Sequence, residues 1–300
     1  MDIGELFPAG PIIDEEHQIG RLSSIEGMAD RLRAGDVIRV FDRRRWGKSS
    51  VARAALARLE TEGLITVRLA LDEYPTPAAA AAVLAEVFST RSEQAATGAR
   101  ALGSRLGGAL LRGGQAAGSE EASAVGGLLQ GLRPEEVTLR RVLEAIPGEL
   151  STRDRRGAIV IDEAHIIASW ESEARASLRA FMADGDRRAG IALASSDSRA
   201  ERKLRRSSVL GYLGEELSLP PIEIADWTHA LQLRFEAAGV PIDGDALALL
   251  LEESRGHPYC TMLLAKQTAQ LAQTFGVSTT SVVQLALPTV RKHDAWKKLR

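Results

Sequence analysis

Gly47, Lys48 and Ser49 stand in the order needed to grip a polyphosphate. They sit within the stretch FDRRRWGKSS, residues 41–50. A glycine lets backbone amides approach phosphate oxygens, a lysine reaches the β- and γ-phosphates, and a serine hydroxyl can join a Mg²⁺ shell. The amides from Arg45 through Trp46 and Gly47 to Ser50 are expected to point at phosphate. The N-terminus of a following helix would add partial positive charge. The motif G-x-x-x-x-G-K-[ST] wants a glycine where this chain has Asp42. Asp accepts left-handed backbone better than most residues. Arg43, Arg44 and Arg45 can neutralise its carboxylate. A working but weakened site is the expectation, with a surface turn that happens to contain GKS as the bland alternative.

A second block supplies acids. AIVIDEAH (158–165) reads as an apolar strand whose tip carries Asp162 and Glu163. Asp162 can hold Mg²⁺. Glu163, one residue on, can orient and deprotonate a water aimed at a γ-phosphate. IALASSDS (191–198) follows as another strand, ending in Ser195 and Ser196, whose hydroxyls can bond a γ-phosphate or the attacking water. Strands ending in polar loop residues are common. The joint occurrence, GKS after an early strand and Asp-Glu after a later one, points to nucleotide chemistry.

Such residues need a rigid frame. Five short β-leaning runs cover 36–41, 64–71, 157–162, 190–195 and 215–220. Several are apolar on consecutive residues, as strands buried on both faces are. Helical patterns lie between them, at 49–63 and 134–150, so a parallel sheet covered on both faces is predicted. Residues 92–133 break the rhythm with dense Gly, Ala and Ser and read as a flexible insertion. After Pro221 the strands stop. Three helices follow, with Gly239, Gly256 and Gly276 at their expected ends and Asp243 or Asp245 as a cap. The predicted organisation is a core over 1–221 and an all-helical unit over 222–300.

Composition limits the alternatives. Of 300 residues, 26% are charged with a net charge of −2, so no global field draws the chain to nucleic acid or membrane. One cysteine, Cys260, excludes an internal disulfide and suits a reducing cytoplasm. No run approaches the ~18 apolar residues of a membrane span, and the N-terminal residues do not read as a secretory signal.

With these blocks in hand, the chain resembles the AAA+ P-loop ATPases of the origin-recognition-like and STAND-related branch. IGRLSSIEGMADRL (19–32), with Gly20 and Arg21, is similar to the family's opening motif, which packs near the adenine. RRRWGKSS, with Arg44, Arg45 and Trp46, and AIVIDEAH match its two nucleotide motifs. Gly256, His257 and Pro258 resemble the G-x-P element of its helical lid. The resemblance implies a P-loop NTPase sheet of order 5-1-4-3-2, a lid, ATP and Mg²⁺, and self-association in which an arginine completes a neighbour's site. Arg205 or Arg206 stands where such an arginine is expected. A solvated basic turn is the alternative there. The letters DEAH also occur in helicases, but those need two RecA-like domains, for which 300 residues with a lid leave no place.

The functional expectation is an ATP hydrolase acting as a regulatory switch or assembly motor in the cytoplasm, with ATP or ADP and an unnamed protein as partners. A non-catalytic nucleotide-binding scaffold is the second reading. A DNA-engaging oligomer is the third.

Overall fold

Strands β3 and β4 are where burial is most complete: every residue of Gly157–Asp162 and of Ala189–Ser195 is buried. Both runs are apolar on consecutive residues, so only a central position in a sheet covered on both sides satisfies them. The structure, a computed structural model, describes residues 2–10, 17–88, 138–196 and 214–297. The 92–133 segment and Arg205 and Arg206 lie outside the described residues.

In chain order the elements are α1 (Ile3–Leu6), α2 (Leu22–Ala34), β1 (Val37–Phe41), α3 (Lys48–Thr61), β2 (Ile65–Ala70), α4 (Pro77–Phe88), α5 (Leu139–Thr152), β3 (Gly157–Asp162), a 3₁₀ turn (Ala164–Ser169), α6 (Ser172–Ala183), β4 (Ala189–Ser195), β5 (Glu215–Glu216), α7 (Ile224–Ala237), α8 (Gly244–Ser254), α9 (Pro258–Phe275), α10 (Thr280–Arg291) and α11 (Asp294–Lys297). They divide into two compact units. One comprises Gly27–Asp42 and Ala55–Ser218, and the other Met1–Glu26, Arg43–Ala54 and Leu219–Arg300.

The first unit holds a parallel sheet of order β2-β3-β4-β1-β5, the expected 5-1-4-3-2 read from the other edge. Its register sets Phe41 of β1 beside Ser195 of β4, and Ile161 of β3 beside Leu193. Helices surround it. α5 shows why: Leu139, Val142, Leu143, Ile146 and Leu150 recur at helical spacing, and all are buried. β5 is shorter than its apolar run suggests. One further bond, Leu217 N–H to the Arg39 carbonyl at 2.8 Å, extends the ladder. Pro220 and Pro221 follow, and proline has no amide hydrogen to continue it.

The second unit is helical. Trp227, Leu231 and Phe235 of α7 pack with Leu247 and Leu250 of α8, Leu264 and Ala265 of α9, Val283 of α10, and Phe7 beside α1. Asp243 caps α8, accepting the Ala246 amide at 2.7 Å. Gly239, Gly256 and Gly276 all have positive φ just past helix ends. α10, with Pro288 in its interior, adds a helix that the 222–300 reading lacked.

Candidate functional site

The phosphate-type loop belongs to the helical unit, and its backbone explains why Asp42 is tolerated. The left-handed residues of the loop are Arg45, at φ 62°, and Gly47, at φ 98°. Asp42 is not among them. Its amide instead donates to the Ser195 carbonyl at 3.3 Å, continuing β1 in the sheet unit. A glycine is therefore not required at position 42 for backbone reasons, and the expectation that Asp42 carries the left-handed turn is corrected. It is required at Gly47, where an L side chain would be strained.

From Gly47 the chain enters α3 at once. Lys48 is its first residue and only 6% exposed. Its ammonium donates to the Arg43 carbonyl at 2.6 Å, and the Trp46 amide donates to the same oxygen at 3.3 Å. The loop is thus closed on its own carbonyl. Ser49 and Ser50 lie in the first turn of α3. Gln18 holds the Ser50 carbonyl at 3.2 Å.

Trp46 anchors this loop by its side chain. The indole is buried, its N–H donates to the Leu219 carbonyl at 2.9 Å, and it meets His257 edge-on at 5.4 Å. Arg43 lies over its ring at 5.3 Å. Arg21, 2% exposed, donates to the Trp46 carbonyl at 3.0 Å and to the Pro220 carbonyl. Gly20 is needed beside it: a Cβ there would lie 2.7 Å from an Asp226 oxygen and 2.8 Å from Ile222, at φ 58°. Gly20, Arg21 and Trp46 therefore position the loop. Trp46→Phe keeps an aromatic ring beside His257 and removes the donor. The stranded Leu219 carbonyl should cost about 1–2 kcal/mol, lowering Tm by about 2–6 °C. Thermal denaturation checks this, and an unchanged Tm would show that the bond adds nothing.

His257 caps α9, and Pro258 takes the first helical position, where its missing amide hydrogen costs nothing. Burial pushes the His257 imidazole below its ordinary pKa, and Arg43 and Arg45 press in the same direction, against a bond to the Arg44 backbone. Burial thus favours the neutral form of the ring. Arg45 lies 4.1 Å over the Tyr259 ring and 3.3 Å from His293 Nδ1, while the Tyr259 hydroxyl sits 3.2 Å from the other nitrogen of that ring. Arg45 also lines a cavity of about 390 Å³, together with Arg43, Arg44, Arg255, His257 and the acidic Asp294. That volume, and four guanidiniums against the one carboxylate of Asp294, suit an anionic ligand of nucleotide size.

The sheet unit carries the acids. Asp162 ends β3 and is 3% exposed, and its Oδ1 accepts the Glu163 amide at 3.0 Å. Glu163 is left-handed, at φ 51°, which turns the chain sharply out of the strand into the 3₁₀ turn. Its carboxylate lies 3.1 Å from His165 Nδ1, and Ser196 Oγ donates to it at 3.4 Å. Ser195 Oγ is 3.5 Å from the same His165 nitrogen. Asp162, Glu163, Ser195 and Ser196 thus gather at the carboxyl edge of β3 and β4. Phe41 and Asp42, which lead into the loop, lie at the same edge of β1.

Solved structures with a similar fold are known. The Walker-type ATPase of Pyrococcus abyssi has a TM-score of 0.65 at 16% identity, over 90% of this chain and 75% of that one. The Aeropyrum pernix ORC1 protein, solved in complex with DNA, gives 0.59 at 18%, over 97% and 69%. The Aeropyrum pernix ORC2 protein in its ADP form gives 0.61 at 17%, over 95% and 72%.

The fold is the one seen in this Walker-type ATPase and in these ORC proteins.

What is shared at these identities is that fold. No protein-family model matches the sequence, and no curated protein matches it either. No described helix is long and apolar enough to cross a membrane. Within that fold, two features escaped the reading of the sequence. One is the packing of Arg45 on Tyr259 and His293, which joins residues far apart in the chain. The other is Arg68 of β2, whose guanidinium grips Asp162 at 2.6 Å. Arg68 had a signal: a charged residue inside an apolar strand, ITVRLA.

Proposed function

We propose that this chain binds ATP with Mg²⁺ and hydrolyses it, serving as a regulatory switch or assembly motor. One observation carries the reading. Three neighbouring strands of a 2-3-4-1-5 parallel sheet end at one edge in Asp42 leading to the GKS loop, in Asp162-Glu163, and in Ser195-Ser196. Ligands of open parallel sheets bind outside the carboxyl ends of the strands.

The donors suit the ligand. Gly47 and the first turn of α3 offer amides and Lys48 an ammonium to phosphate, with Arg44, Arg45 and His257 beside them. Ser49 and Asp162 offer the oxygen donors that Mg²⁺ prefers. When bound, Mg²⁺ neutralises charge on the phosphate oxygens. Ser196 and His165 hold the Glu163 carboxylate, which takes a proton from the attacking water. Arg205 or Arg206 would complete the site of a second copy.

The non-catalytic scaffold has its own support: the carboxylate meant to act as base is already engaged by His165 and Ser196. Calorimetry with ATP, followed by phosphate release with and without duplex DNA, separates these readings. Binding with steady phosphate release is expected, rising per molecule with protein concentration because an arginine supplied in trans adds about 10³–10⁵ to the rate. Binding without release selects the scaffold. No binding overturns both.

A further inference from the structure

We propose that Arg68 sets how readily Mg²⁺ reaches Asp162, acting as a resident counter-cation. The inference rests on the nucleotide reading only for the presence of the metal.

Arg68 is the one charged residue of β2, and Asp162 is the last residue of β3 beside it. The strands pair in parallel register, with Arg68 opposite Val160 and Ala70 opposite Asp162. The Arg68 side chain therefore reaches two residues along to meet the carboxylate. Its Nε and Nη2 both donate to Oδ2, at 3.1 and 2.6 Å. Oδ1 accepts the Glu163 amide. The Asp162 side chain is only 4% exposed.

A carboxylate this deep needs compensation, because burying an unpaired charge is expensive. Arg68 supplies it before any metal arrives. Mg²⁺ takes oxygen ligands in a strict octahedron and dehydrates reluctantly. To use Oδ2 it must displace a guanidinium fork. To use Oδ1 it must sit a few ångström from a fixed positive charge. Repulsion of that kind between a guanidinium and a divalent ion is worth at least about tenfold in ion affinity, even with water-like screening.

The test titrates Mg²⁺ from an EDTA buffer and follows the affinity of a fluorescent ATP analogue. Wild type, Arg68→Lys and Arg68→Gln are compared. Arg68→Gln removes the charge but can still donate one hydrogen bond to Asp162, and its Mg²⁺ midpoint should fall at least about tenfold. Arg68→Lys keeps the charge but loses the fork, and its midpoint should fall by about two- to fivefold. Affinity in EDTA should be the same in all three, a result that a merely structural role would not give. Equal Mg²⁺ midpoints in wild type and Arg68→Gln overturn the proposal. Should Arg68→Gln fail to fold by circular dichroism, an Arg68→Lys midpoint at or above that of wild type overturns it. The same series is melted with Mg²⁺ alone. If wild type binds no nucleotide, the nucleotide reading fails, and the order of Mg²⁺-induced Tm shifts still decides whether Arg68 controls the ion.

Discussion

Glu163→Gln is expected to leave ATP bound and to slow hydrolysis by about 10²–10⁴, the usual contribution of a positioned base. The substitution preserves size and the left-handed turn at φ 51°. An amide oxygen can still accept from Ser196, so the local arrangement survives. What is lost is the ability to take a proton from water. The measurement is phosphate release under saturating ATP, alongside calorimetric affinity. Hydrolysis at the wild-type rate would mean that another residue serves as the base. A matched loss of affinity would mean that Glu163 holds the ligand rather than the water.

Lys48→Ala should weaken ATP binding by about 10² or more. In the structure the ammonium is buried and bonded to the Arg43 carbonyl. Turning to phosphate exchanges that bond to a neutral carbonyl for bonds to an anion, worth ~1.5–3 kcal/mol each. The loop should not collapse without it, because the Trp46 amide also holds the Arg43 carbonyl and the indole stays anchored on Leu219. Calorimetry decides, and equal affinity in mutant and wild type would sink the phosphate-loop assignment.

The frame was legible because it is written in local patterns. Residues 158–161 and 191–194 are apolar on consecutive positions, as strands covered on both faces are. Gly239, Gly256 and Gly276 marked helix ends because few other residues adopt left-handed backbone there without cost. The candidate site was half legible. GKS and Asp-Glu are local, so their place at strand ends could be read. The role of the side chains around them could not. Trp46 sits in the loop motif as one of its free positions, yet its indole is an anchor whose partners, Leu219 and His257, lie some two hundred residues on. Arg68 answers to Asp162 through strand pairing, which no spacing within the chain reveals. Asp42 misled because the motif fixes the residue type but not the dihedral: the turn places its left-handed residues at Arg45 and Gly47 instead.

The helical unit is built from three separated stretches, and this bears on how the chain folds. Arg234 donates to the Leu6 carbonyl across 228 residues, and the rings of Phe7 and Phe235 lie 4.9 Å apart. Closing so long a loop brings late contacts and slow folding. As the chain leaves the ribosome, residues 1–26 must wait until the segment beyond 219 has been made. Through that interval Phe7 and Ile19 have no partner core, which is when a chaperone would find them. An expression fragment beginning at 222 would lack Ile3, Phe7 and Ile19 from its core. Fusing the first stretch to the C-terminal one through a short linker would remove the wait.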